Sequence, residues 1–332
     1  LTADSADIDA DGRPYRRLLV SEESAGTRAD KWLSLRFSSL SRTVAARHLK
    51  AGLVVSEWRP LKGSTPLQPG EPLRVFIPGF APEGAPPPLP PVLLEDERVL
   101  VIDKPPGLLA HPAGDRFTWA VIGLAKQARP DARVDLVHRL DRDTSGVMVL
   151  TKDVEANAIL KERFKTRARD LRKVYLAIVR GLVPWDERVV DAPIGPHPAS
   201  TVRLRRAVTP DGLPSRTTFT VLQRVASSEL SLVQCALHTG RTHQIRVHLE
   251  HVGHPLVGDR LYGHPDAVFL DWLDEGASAS VRARVGFPRQ CLHAWRLRLP
   301  HPDGGTVDLE APLPADMQAL LDGAPPRWEE DP

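Results

Sequence analysis

The sequence predicts an α+β protein built from two domains. From residue 92 onward, strand-like and helix-like segments are interspersed without regular strand–helix–strand alternation. The stretch GFAPEGAPPPLPP, residues 79–91, carries six prolines, which neither a helix nor a central strand accommodates, so it reads as an extended linker. The segment before it is short and self-contained. The expected organisation is therefore an acidic flexible tail over 1–15, a small domain over 16–78, the linker over 79–91, a large domain over 92–310 and a second acidic tail over 311–332. A length of 332 residues suits two domains.

In the small domain, Ala29, Trp32, Leu33 and Phe37 recur at helical spacing. Ser41 is a suitable N-cap for a second helix and Gly52 a suitable terminator. In that helix Ala45 and Leu49 share one face, while Arg47 and Lys50 share another. LVV (53–55) and LRVFI (73–77) read as strands. In the large domain, RVLVIDK (98–104) reads as a strand ending in a turn, TWAVIGLAKQ (118–127) as a helix and GVMVLT (146–151) as a buried strand. VEANAILKERFKTR (154–167) sets Ala156, Ile159, Leu160 and Phe164 on one helical stripe. KVYLAIV (173–179) is a strand, and TTFTVLQRV (217–225) with ELSLVQCAL (229–237) forms a hairpin. After Gly240 a helix places Ile245, Leu249 and Val252 on a common face. Residues 186–214 carry no clear pattern, and 264–288 reads as a helix-bearing excursion.

Composition narrows the function classes. No stretch approaches the roughly 20 apolar residues that a spanning helix needs, so no membrane partner is expected. The opening LTADSADIDADG lacks a signal peptide's basic start and apolar middle. Only Cys235 and Cys291 are present, too few for a disulfide scaffold or a four-cysteine metal site, and fitting for a reducing, cytoplasmic location. The formal charge of +2 hides a segregation: residues 1–12 carry −4, residues 303–332 carry −7 and the interior carries +13. A basic body of this kind suits a polyanion, because clustered Lys and Arg replace counterions on phosphates; a solvated mixed surface is the competing reading.

Two clusters carry chemistry. LVHRLDRDTSGVMVL (136–150) places His138, Arg139, Asp141, Arg142 and Asp143 between two apolar runs, which holds a charged knot at the end of buried strands. A surface turn with self-satisfying charges has the same composition. LHTGRTHQIRVHLEHVGHPLVGD (237–259) carries Arg241, Arg246 and four histidines, whose spacings match no common zinc pattern.

The order RADKWL (28–33), SRTVAARHLKAGLVV (41–55) and LQPGEPLRV (67–75) resembles the S-four-type RNA-binding domain, named after the fourth ribosomal small-subunit protein. That resemblance implies that Arg28, Lys31, Arg42, Arg47 and Lys50 face RNA phosphate. HRLDRDTSG, RKVYLAIV, LHTGRTHQIRVH and CLHAWRLRLPHP, in this order, resemble an RluA-type RNA pseudouridine synthase over about residues 16–310. The fold so implied is a mixed, largely antiparallel sheet with flanking helices and a central cleft, joined to a small α/β RNA-binding domain. The reaction implied is isomerisation of uridine to pseudouridine by base flipping, with no metal and no organic cofactor. The resemblance makes Asp141 the essential carboxylate, which attacks the ribose or removes a ribose proton, Arg246 its arginine partner and Tyr175 the residue that stacks on the target base and can also help remove the carbon 5 proton. Arg139 would fill the gap left by the flipped base and Leu292 would pack under the uracil, with His138, Thr144 and Arg241 as further substrate contacts. The RNA expected is ribosomal RNA of the large-subunit type first and transfer RNA second, with no obligate protein partner. Two rivals remain at this point: a metal-dependent phosphodiesterase built on Asp135, Asp141 and Asp143, and a non-catalytic RNA-binding or ribosome-assembly protein.

Overall fold

Backbone pairing in the computed structural model is described for residues 7–8, 14–37, 41–76, 87–111, 120–166, 168 and 170–328. The chain divides into two compact units, Leu1–Pro88 with Leu109–Leu124, and Leu89–Leu108 with Ala125–Pro332. The first contains β1 (Asp7–Ile8), β2 (Pro14–Leu19), α1 (Ala29–Arg36), α2 (Arg42–Lys50), β3 (Val54–Ser56) and β4 (Pro72–Val75). Its sheet runs β1-β2-β4-β3, antiparallel throughout. Ser41 Oγ accepts the Val44 N–H at 3.3 Å and so caps α2. Trp32, Leu33, Leu49, Leu67, Leu73 and Val75 form the core of this unit. The tail expected over 1–15 is corrected at its end: Asp7 and Ile8 pair with Tyr15 and Pro14, extending the sheet. Residues 77–86, most of the expected linker, lie outside the described residues.

Beyond residue 91 the chain forms β5 (Val92–Glu95), β6 (Val99–Lys104), α3 (Val121–Ala128), β7 (Asp135–Leu136), β8 (Ser145–Thr151), α4 (Val154–Thr166) and β9 (Arg172–Arg180). It continues through β10 (Glu187–Asp191), β11 (Ile194–Pro196), β12 (Arg206–Val208), β13 (Arg216–Val225), β14 (Leu230–Leu237) and α5 (Gln244–His251). It ends in α6 (Asp266–Glu275), α7 (Ala279–Val285), β15 (Leu292–Pro300), β16 (Thr306–Glu310) and α8 (Ala315–Leu321). A ten-stranded sheet has the order β10-β13-β14-β9-β15-β8-β6-β5, with β16 on β15 and β7 on β8. Its pairings are antiparallel except β15 with β8, which is the mixed, largely antiparallel sheet expected. The stretch left unread over 186–214 contains β10 and the separate hairpin of β11 and β12.

The apolar stripe of α5 explains its seat. Ile245, Leu249 and Val252 pack with Val179, Phe219 and Val233 of the sheet and with Leu256. Each residue along a helix turns about 100°, so Arg246, next to Ile245, leaves that stripe. The second acidic tail is also corrected. Met317 and Leu321, four apart on α8, are buried against Ile178, Leu232 and Phe287, and Asp316 pairs with Arg289 at 2.6 Å. Among the described residues no helix is long and apolar enough to cross a membrane.

Candidate active site

The loop carrying Asp141 enters β8 where that strand meets β15 in parallel. Gly146 pairs with Ala294 and has a φ of +109°. A Cβ at this position would lie 2.2 Å from the Ala294 carbonyl oxygen, so only glycine permits the junction. Beside it, His293 donates Nε2–H to the Ala311 carbonyl at 3.1 Å. Its Nδ1 then accepts the Ser145 hydroxyl at 2.9 Å. On the other flank, Lys104 at the end of β6 is fully buried and donates to the carbonyls of Pro105, Leu108 and Arg142 at 2.8, 2.8 and 2.9 Å. Three acceptors match the three protons of an ammonium group. The backbone at Arg142 is thus tied to the end of β6, although burial pulls the Lys104 pKa down to about 7.

Asp141 Oδ2 lies 3.0 Å from Arg246 Nη1. Arg246 also grips Asp259 in a two-pronged pair, Nε to Oδ2 at 2.6 Å and Nη2 to Oδ1 at 2.9 Å. Asp259 is fully buried and accepts the Leu261 and Tyr262 N–H groups at 2.9 and 3.0 Å. Burial alone would raise both carboxylate pKa values; the charge of Arg246 outweighs it and holds both below the usual range. The side chain of Asp141 nevertheless keeps 38% of its surface open, against 0% for Asp259. One arginine therefore connects a buried anchor to an accessible, ionised carboxylate.

His243, in the left-handed region at φ +58°, sits at the start of α5. Its Nδ1 is 2.8 Å from the Tyr262 hydroxyl, which itself accepts the Arg206 N–H at 3.0 Å. Burial pushes the phenol up and the imidazole down to about 4. The neutral imidazole therefore accepts at Nδ1 and carries its proton on Nε2, 3.9 Å from Asp141 Oδ2. Buried Gln244 fixes the entry to this helix: its amide donates to the Arg216 carbonyl and Thr217 hydroxyl, and its oxygen accepts the Thr239 hydroxyl and Arg241 N–H.

Asp141, His243 and Arg246 line an open cleft of about 260 Å³ together with Arg142, Asp143, Leu204, Arg260, Phe269, Trp272 and Gln290. Tyr175, on β9 opposite Ala294, is close enough to Asp141 that its phenol pKa, pushed up first by burial, is raised further by the carboxylate charge. Leu292, buried and opposite Ala177, belongs to the same apolar cluster as Tyr175. Arg139 is exposed, with no ion-pair partner among the described residues.

Three of the expected substrate contacts have partners within the protein. His138 accepts the Val149 N–H at 3.2 Å and stacks on Phe164 at 4.9 Å, and burial pulls its pKa to about 3; it supports the loop from within. Thr144 is buried and accepts from Gln290 Nε2 at 2.7 Å, so it positions a cleft residue. Arg241 donates to the Pro214 carbonyl at 3.2 Å. Sequence reasoning missed Lys104, Asp259, Tyr262 and Gln290. The discoverable signal was a lysine closing the apolar run of β6; the others are separated in sequence from the loop they serve.

In the first unit, Arg42, Arg47 and Lys50 line a shallow hollow of about 620 Å³ with Asp30. Arg28 and Arg42 reach Asp30 at 2.7 and 3.6 Å. Lys31 is exposed but is not among the lining residues.

Asp135, Asp141 and Asp143 pair separately with Lys161, Arg246 and Arg260. Among the described residues no three His, Cys, Asp or Glu side chains are arranged to hold a metal ion. That geometry does not suit the phosphodiesterase reading. The family model described as RNA pseudouridylate synthase matches residues 98–251. The chain is 44% identical to the ribosomal large subunit pseudouridine synthase D of Nitrosomonas europaea over 69% of this chain and 64% of that protein. It is 36% identical to the protein of that description from Xanthomonas campestris, over 92% of this chain and 91% of the relative. The solved human RNA pseudouridylate synthase domain containing 4 superposes with a TM-score of 0.53 at 28% identity, covering 70% of this chain and 91% of that one. With the motifs, the sheet and the relatives in agreement, this chain belongs to the RNA pseudouridylate synthase family, of the RluA type.

Proposed function

We propose that this chain isomerises a uridine of large-subunit ribosomal RNA, with Asp141 as the reacting carboxylate. The observation that carries the reading is the accessible Asp141 held ionised by Arg246, which is itself anchored on buried Asp259. The reaction breaks the bond from uracil nitrogen 1 to the ribose, turns the base and joins carbon 5 to the ribose. Both routes open to the carboxylate, attack on the ribose and removal of a ribose proton, need it negative at neutral pH. Tyr175 supplies an aromatic face to the base. A phenol whose pKa is raised by burial stays protonated, which suits stacking and opposes service as the base at carbon 5. The large-subunit activity of the Nitrosomonas and Xanthomonas relatives supports ribosomal over transfer RNA. The two buried, unbridged cysteines suit a cytoplasmic setting. The test is pseudouridine mapping of large-subunit ribosomal RNA with and without this protein. A site lost on deletion and restored by the wild-type gene supports the reading; an unchanged map overturns it.

Arg139, two residues before Asp141, takes the space vacated by the flipped base. Unstacking a base costs a few kcal/mol. Arg139→Ala should therefore slow modification of a structured RNA by about tenfold or more, and an unstructured RNA far less. Equal losses on both RNAs count against the gap-filling role. Arg42, Arg47 and Lys50 bind RNA backbone in the manner of an S-four-type domain. Replacing all three by Gln should weaken RNA binding and reduce the slope of log affinity against log salt by about 2, at roughly 0.7 per single-strand phosphate contact. An unchanged slope means that this face does not hold phosphate.

A further inference from the structure

We propose that Phe269 and Trp272 form a stacking subsite for the nucleobase next to the target uridine. The inference rests on the reading of Asp141 as the reacting carboxylate, because the same cleft holds all three side chains. Both aromatics come from α6, within the excursion over 264–288. Val268 packs with Val281 and Val285, which joins α6 to α7. Phe269 packs on the cluster of Val247, Leu261 and Tyr262. At the helix start, Asp266 pairs with Arg205 at 2.8 Å and accepts from Ser200 and Thr201. Arg205 also reaches Glu250 on α5 at 3.0 Å. The excursion is thereby pinned to the helix that carries Arg246, and its aromatic face is set before any ligand arrives.

A cation completes the subsite. The Arg260 guanidinium lies 4.1 Å from the Trp272 ring centroid. It is oriented by Asp143 at 3.1 Å and by the Pro288 carbonyl. Asp143 is two residues from Asp141, so this aromatic–guanidinium layer is tied to the reacting loop. Gly258, also in the cleft, cannot carry a side chain: a Cβ there would lie 1.8 Å from the Arg289 carbonyl oxygen. Leu204, with 60% of its surface exposed, adds a further apolar contact.

The occupant follows from position and chemistry. A uridine held at Asp141 brings its adjoining nucleotide within reach of this wall of the same cleft. Aromatic rings and a guanidinium recognise the flat face of a base and not its edge, so the subsite demands that a base be present and tolerates which base it is. The exposed Arg142 beside it suits the connecting phosphate.

The test uses full-length protein and synthetic RNA hairpins copied from the site that the protein modifies. Nucleotides flanking the uridine are made abasic one at a time, and kcat/KM for pseudouridine formation is measured. The wild type should lose about tenfold or more at one flanking position. Trp272→Ala should show a similar loss on the intact hairpin and no further loss at that abasic position, while Trp272→Phe keeps most of the activity and the abasic sensitivity. A flat abasic scan of the wild type overturns the subsite, as do Trp272→Ala and abasic losses that multiply. Should Trp272→Ala fail to fold, the wild-type scan and Trp272→Phe still decide the question. A wild type that makes no pseudouridine in the parent hairpin overturns the reaction reading instead, so the two failures are distinguishable.

Discussion

Asp141→Asn should lower pseudouridine formation by about 10⁴-fold, to background, while leaving the fold and RNA binding largely intact. Asn keeps the shape of the side chain and removes the charge that either route requires. Arg246 retains its two-pronged pair with Asp259, so no buried charge is left alone. The lost pair involves a carboxylate with 38% of its surface open, and such pairs contribute about 1 kcal/mol or less to stability. Single-turnover assays on ribosomal RNA, with a binding titration and a thermal melt on the same preparation, separate the effects. Substantial turnover by a sequence-verified Asp141→Asn protein defeats the assignment.

Arg246→Met should fail in both respects. It removes the partner of Asp141 and strands Asp259, which is fully buried and, among the described residues, otherwise accepts two backbone N–H groups. Stranding one member of a buried pair costs about 3–5 kcal/mol, so urea unfolding should show a loss of that order as well as loss of turnover. The pH dependence gives a second signature. In the wild type the Asp259 pKa is below its unfolded value, so its contribution is complete above about pH 4 and disappears as pH falls through the folded pKa. Without Arg246, burial, the largest influence on Asp259, is opposed mainly by the two backbone N–H bonds and should raise that pKa. The variant should then lose stability as pH rises through about 4 toward neutrality, the reverse of the wild-type dependence. Adding Asp259→Asn to Arg246→Met should recover much of the stability and none of the activity. Equal unfolding free energies for wild type and Arg246→Met at neutral pH would show that Arg246 does not compensate Asp259.

Much of the architecture was legible in local pattern. Helix α5 announced itself through Ile245, Leu249 and Val252, and the antiparallel partners β13 and β14 through two apolar runs separated by a short link. The edges were less legible. Helix α8 lies in a segment of net negative charge, where Met317 and Leu321 alone signal a buried face and the ion pair to Arg289 spans 27 residues. Strands β10, β11 and β12 are three to five residues long, too short for periodicity to emerge. Within the site, motif proximity identified the loop but not the direction of each side chain: His138 and Thr144 turn toward the interior, and Asp141 between them reaches the cleft.

Residue identity alone pointed to the family and to Asp141 and Arg246 as candidates for its site, because nine consecutive residues in HRLDRDTSG and the later GRTHQIRVH are short-range information that survives without coordinates. Tertiary structure decided which charges share a dielectric environment. It brought Arg246 to Asp141 across 105 residues and to Asp259 across 13, directed Lys104 to the Arg142 carbonyl, and turned the 264–288 excursion into a cleft wall. Electrostatic coupling falls with distance in space rather than along the chain, so the ionised state of Asp141 is a property that only the folded arrangement could establish.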